Sequence, residues 1–131
     1  MPDSKFCLWE VNMRITGQQV RDALIRALAD EYSRKILLGT VERARSVEDL
    51  SEIFQIPIST AYRRVNEMRE VGLLTVEKTI LTDEGKKFEL FRSSFKGINL
   101  QLDKGDIVVD VELNEDVATR LSRLWASLRA G

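Results

Sequence analysis

Histidine is absent from the 131 residues, cysteine occurs once and proline twice. With a single thiol at Cys7 and no imidazole, the chain lacks the ligands from which zinc, copper and nickel sites are built, and it cannot close an intrachain disulfide. No metal is expected, and the cysteine usage suits a reducing cytosol. Cys7 sits in an apolar stretch, where such a residue is more often packing material than a thiol sensor. Long apolar runs are missing too. No segment approaches the roughly eighteen residues of a membrane span, and the opening MPDSKFCLWEV has neither the basic head nor the apolar run of a secretion signal. A soluble, cytoplasmic protein is expected, with no membrane partner. A glycine-rich phosphate loop, a nucleophile motif and a Cys/His cluster are all absent, so no catalytic residue and no cofactor are assigned and an enzyme is the least supported class.

What is present is a chain that is 44% hydrophobic, enough for one core without staples, and nearly neutral at −1. A neutral molecule has no overall attraction for a polyanion, so any nucleic-acid role depends on where the charges lie. Residues 18–45 carry six cations against four anions, Ser46–Ile56 carries three anions and no cation, and Asp103–Asp116 carries six anions against Lys104.

Periodicity divides the chain. Val20, Leu24, Ala27 and Leu28 recur at helical spacing after Thr16-Gly17, and Ile36, Leu37 and Val41 do so after Asp30, a good N-cap. A third, short helix is predicted from Ser46, with Leu50, Ile53 and Phe54 on one stripe. The fourth is predicted over Ser59–Val71: Pro57 disfavours helix at Ile56, Ser59 can cap, and Gly72 suits the left-handed residue after a helix. Its inner stripe is Ala61, Val65 and Met68. Thr60, Arg63, Arg64 and Glu67 are expected to face away from it, with Tyr62, Asn66 and Arg69 on a flank, giving a polar, cationic outer face.

From Leu73 the period becomes two. LLTVEKTIL and KKFELF flank the turn at Thr82–Gly85, and INLQL and IVVDVEL flank DKGD, giving two hairpins. An amphipathic helix is predicted to close the chain, with Asn114 as cap and Val117, Leu121, Leu124, Trp125 and Leu128 on its stripe. Near the front, KFCLWEVNMRI can form another strand. The expected fold class is therefore α+β: a winged helix-turn-helix with an extended antiparallel wing or meander and a C-terminal amphipathic helix. Its divisions are an arm at 1–17, the helix-turn-helix domain at 18–96, and a hairpin with the closing helix at 97–131.

In that arrangement the second helix of the pair enters the major groove, hydroxyls and amides at its start approach phosphate, and arginine can grip guanine bidentately. Ser59, Thr60, Tyr62, Arg63 and Arg64 are the candidate contacts. Lys86 and Lys87, beside the first hairpin turn, either touch backbone phosphate as a wing tip does or belong to a solvated turn.

The stretch ALADEYSRKILLGTVERARSVEDLSEIFQIPISTAYRRVNEMREVGLL resembles the core of ArsR-type winged-helix transcriptional regulators, especially a group common in archaea, over roughly residues 27–92. The likeness rests on Ala27–Asp30, Ser46–Ser51, Ser59–Val65 and Val71–Leu74. It implies a homodimer on an imperfect palindrome of double-stranded DNA, with the residues from Ser59 to Arg64 just named at the surface. Many such proteins sense metals through paired cysteines before the turn or Asp/His sets on the last helix. Here the first segment reads SEIFQI and the second has no histidine, so metal sensing is not expected. Dimerisation is assigned to the closing stripe, Leu121, Leu124, Trp125 and Leu128, whose other reading is packing on its own domain, and to the first helix around Leu24. The rival function is a winged helix used only for protein contacts, because fold does not fix function.

Overall fold

The structure, a computed structural model, describes residues 12–114. In chain order these form β1 (Asn12–Ile15), α1 (Gln18–Ala29), α2 (Glu31–Gly39), α3 (Val47–Phe54), α4 (Ile58–Glu70), β2 (Leu74–Leu81), β3 (Lys87–Ser93), β4 (Phe95–Asp103) and β5 (Asp106–Leu113). Helices followed by an antiparallel hairpin make this an α+β winged helix-turn-helix. The predicted closing helix, with Val117, Leu121, Leu124, Trp125 and Leu128, lies outside the described residues, as does Cys7. Contacts divide the chain into two compact units, one spanning Gly17–Ser94 and one formed by the residues on either side of it.

The helical unit is organised by its caps. Asp30 ends α1 in extended conformation, and its carboxylate accepts the Ser33 amide at 2.8 Å, opening α2. Ser46 does the same for α3, its hydroxyl accepting the Asp49 amide at 3.1 Å. Each such cap contributes about 1 kcal/mol. Leu24, Ile36, Leu50, Ala61 and Val65 are completely enclosed. Leu24, expected at a dimer surface, is thus fully buried within the single chain. After α4 the chain turns at Gly72 (φ +87°), with the Leu73 amide bonded to the Met68 carbonyl and the Gly72 amide to Arg69. This paired pattern needs a left-handed residue, and glycine adopts it without strain.

The wing is the β2–β3 hairpin, whose register slips between Val76 and Lys78. Its base gains a one-residue third strand where Arg45 and Phe91 exchange both backbone hydrogen bonds, at 3.0 and 2.8 Å. Arg92 fastens the bulge, donating to the Val41 carbonyl and to Glu77, each at 2.8 Å.

Gly39 marks a close approach. A Cβ there would lie 2.5–2.6 Å from the tip of the Phe54 ring. Intrinsic propensity favours alanine over glycine inside a helix by about 1 kcal/mol, whereas overpacking a filled site costs about 1–3 kcal/mol. Gly39→Ala is expected to lower stability by a net ~1 kcal/mol in urea melts; a gain would mean that the ring has room to move aside.

The other unit is a three-stranded antiparallel sheet in the order β1-β5-β4. Only the last four residues of the predicted front strand are described, and they pair with β5, Arg14 lying opposite Asp110 and ion-paired to it at 2.9 Å. The β4–β5 turn has positive φ at both Lys104 (51°) and Gly105 (82°), the conformation whose twist matches a two-residue hairpin. Val109, Val111 and Leu113 alternate to the buried side, and Ile107, beside the turn, is more exposed.

Candidate nucleic-acid interface

Two helices and a three-residue connection, Gln55 to Pro57, position the candidate residues. The connection is tight: Gln55 takes the left-handed conformation (φ 56°), the Ile56 amide returns to the Ser51 carbonyl at 3.0 Å, and the Ser51 hydroxyl donates to the Ile56 carbonyl at 2.6 Å. Ile56 is buried and Pro57 exposed.

The start of α4 differs from expectation. Pro57, at φ −53° and ψ 134°, is the N-cap, the helix begins at Ile58, and no side chain caps it. Ser59 was expected in that role, but its amide already lies within the first turn. The extended conformation an N-cap needs is one that proline, with its fixed φ, supplies by itself, and the first helical bond runs from the Ala61 amide to the Pro57 carbonyl at 2.9 Å. Ser59 is therefore exposed and makes no side-chain hydrogen bond among the described residues, beside backbone amides that no side chain caps, with Thr60 next to it.

Farther along, Ala61, Val65 and Met68 face the core. Arg63 points the opposite way, exposed and without an ion pair or hydrogen bond among the described residues. Arg64 does not share its surroundings. Its Nε and Nη2 grip the two Asp30 oxygens at 3.1 and 3.3 Å, its Nη1 lies 3.4 Å from Glu67, and its side chain is only 26% exposed. The carboxylate that caps α2 thus also holds α4. The Asp30 carboxyl is kept below the usual range first by the Ser33 amide and then by the Ser33 hydroxyl and the Arg64 charge, against some desolvation. These groups stand on the wall of a groove of about 400 Å³ that reaches Ala27, Met68 and Leu73.

On the other flank of α4, the Tyr62 hydroxyl donates to Glu48 of α3, and that bond, with burial, raises its pKa above the ordinary tyrosine value. Arg69 pairs with Glu89 of the wing at 3.2 Å and lies 5.9 Å from the centroid of the Phe91 ring. Together with Asn66, Lys87 and Phe88 these residues line a cleft of about 300 Å³ between α4 and the wing. Lys86 and Lys87 are exposed beside the wing turn, where Gly85 has φ +85° and the Lys86 amide donates to the Thr82 hydroxyl at 3.0 Å. Arg69, Asn66, Glu48 and Glu89 were not among the candidate contacts. Arg69 and Asn66 were visible in sequence as a flank of α4, but what they face is set by the wing.

Residues 28–77 match the family described as a helix-turn-helix domain, a span that takes in α2, α3, α4 and the start of β2. That segment folds as a helix-turn-helix. Among solved structures, the chain is similar to HlyU from Vibrio cholerae N16961, at 16% identity and a TM-score of 0.41, over 83% of this chain and 91% of that one. No curated protein matches the chain.

No group of three or more His, Cys, Asp or Glu side chains among the described residues could hold a metal ion. No helix among them is long and apolar enough to cross a membrane.

Proposed function

We propose that this protein is a transcriptional regulator that binds double-stranded DNA, laying α4 in the major groove with the wing beside the backbone. One observation carries the reading: on the N-terminal half of a helix held by two neighbouring elements, Arg63 is exposed opposite the core stripe and has no ion pair or hydrogen bond among the described residues. An unpaired guanidinium on a rigid support is poised to meet the acceptor edge of guanine without first breaking a protein contact. The open amides at the start of α4, with Ser59 and Thr60, suit phosphate. Lys86 and Lys87 at the wing turn supply charge for the backbone. The match of residues 28–77 to a helix-turn-helix domain supports the same assignment.

A homodimer belongs to this reading because one helix contacts few base pairs and two linked half-sites nearly add their free energies. Leu24 is enclosed, so the contact is assigned to the closing segment with Leu121, Leu124, Trp125 and Leu128, with the rest of the first helix around Val20 and Leu28 as its second candidate. Regulation of transcription implies a cytoplasmic location, and the likeness to ArsR-type regulators supports placing the chain with their archaeal group. The second reading, a protein-contact module, draws on the pairing of Arg64 and Arg69 with carboxylates, which leaves Arg63 as the one arginine of α4 without such a pair among the described residues.

Salt separates the two. A DNA reader is expected to bind random duplex weakly at low salt, the logarithm of affinity falling linearly against the logarithm of salt with a slope of about −4 to −5 if roughly five phosphates are neutralised. A contact module shows no such binding. Fluorescence anisotropy across a salt series measures the slope, and light scattering gives the mass.

A further inference from the structure

We infer that the cleft between α4 and the wing is a seat for a phosphodiester of duplex DNA, and that Glu48 and Glu89 occupy its donors in the free protein and must be displaced. The inference rests on the DNA-binding reading and deepens it. Four residues with donors of different chemistry line it from two elements: Tyr62, Asn66 and Arg69 from α4, and Lys87 from the wing. Such a set matches an anion with several acceptor oxygens.

Two of these donors already hold a carboxylate supplied by another element. Glu48 of α3 accepts from Tyr62, and Glu89 of β3 lies 3.2 Å from Arg69. A carboxylate presents two oxygens much as a phosphodiester presents its two non-bridging ones, so each contact is the internal counterpart of the one the backbone would make. The Arg69–Glu89 pair is open to solvent, its side chains being 46% and 33% exposed, and exposed pairs of this kind are held weakly enough to exchange. Arg69 itself keeps its place: its guanidinium lies near the Phe91 ring, and Phe91 is buried and bonded through its backbone to Arg45. The seat is therefore built before DNA arrives, and only its occupant changes.

The charges in the cleft cancel, Glu48 and Glu89 against Arg69 and Lys87. A bound phosphate consequently faces two displaced carboxylates, and that repulsion weakens binding to every sequence alike. Only a site at which Arg63 and its neighbours gain base contacts makes up the loss, so the two glutamates raise discrimination by suppressing binding elsewhere.

The test uses the full chain and a random duplex of about 20 base pairs, read by fluorescence anisotropy across a salt series. Glu89→Gln and Glu48→Gln, which keep side-chain size, are each expected to tighten binding at low salt by about threefold to tenfold. Glu89→Gln should also steepen the salt slope by about 0.9, because one cationic charge no longer offset by a carboxylate becomes available to neutralise phosphate. Adding Arg69→Ala to Glu89→Gln should remove the gain. Thermal melts confirm that each variant is folded. If wild type binds and both single variants bind no more tightly, the glutamates are not competitors and the inference is overturned while the DNA reading survives. If wild type fails to bind duplex even at low salt, both fall together.

Discussion

Asp30→Ala is expected to lower the unfolding free energy by about 2 kcal/mol, an unusually large cost for one partly exposed side chain. The carboxylate has two jobs. As the α2 cap it satisfies the Ser33 amide, and loss of such a cap costs about 1 kcal/mol. As the partner of Arg64 it takes two hydrogen bonds from a charged donor across 34 positions of sequence. With the side chains 26% and 32% exposed, solvent screens that pair, and about 1 kcal/mol is the appropriate allowance. Asp30→Asn keeps an oxygen for the cap but loses the charge, and should forfeit about half as much. Urea melts near neutral pH distinguish the two.

The same residue sets a pH dependence. Because its folded pKa is depressed, the unfolded chain binds the proton more readily. The associated stability is fully present above the ordinary carboxylate value near 4 and is lost as pH falls through the lower, folded value. The deficit of Asp30→Ala relative to wild type should therefore be constant from neutral pH down to about 5 and shrink in stronger acid. A deficit that grew in acid would mean that the carboxylate is not favoured in its charged form.

Sequence was most informative where the governing chemistry is local. Asp30 and Ser46 cap the helices that follow them, Gly72 takes the left-handed position after α4, and Gly85 and the Lys104-Gly105 pair turn their hairpins, each determined by a few adjacent residues. Ser59 escaped because two neighbouring residues can both start a helix, and Pro57 does so by conformation alone, with no side-chain signal. The pairing of β1 with β5 joins residues nearly a hundred positions apart, and no local pattern specifies it. Arg64 was partly legible: at about 100° per residue it lies only some 60–70° from the centre of the Ala61-Val65-Met68 stripe, whereas Arg63 is nearly opposite. That angle marks Arg64 as a boundary residue. Its partner, in another helix, becomes visible only in three dimensions. The cleft lined by Tyr62, Arg69, Glu48 and Glu89 was illegible for the same reason, since α3 and the wing supply the carboxylates.

Arg63 and Arg64, adjacent and chemically identical, are expected to fail differently when removed. Arg63→Ala takes away no ion pair or hydrogen bond among the described residues, so its melting transition should stay within about 0.5 kcal/mol of wild type, as surface changes ordinarily do. Duplex affinity should fall by about 1–3 kcal/mol, the range for a lost base-edge arginine, and the loss should be greatest on the preferred sequence. Arg64→Ala breaks the pair with Asp30 and should cost about 1 kcal/mol of stability, because the pair is partly screened. Its effect on DNA operates through the angle of α4, so the loss should be similar on preferred and random duplex. Arg64→Lys keeps the charge but not the fork that spans both Asp30 oxygens, and should recover only part of either loss. Equal stability losses from the two alanine variants would put Arg63 in a structural role and leave α4 without its outward reader. An Arg64→Ala protein as stable as wild type, but blind to sequence, would mean that this guanidinium leaves Asp30 to read a base.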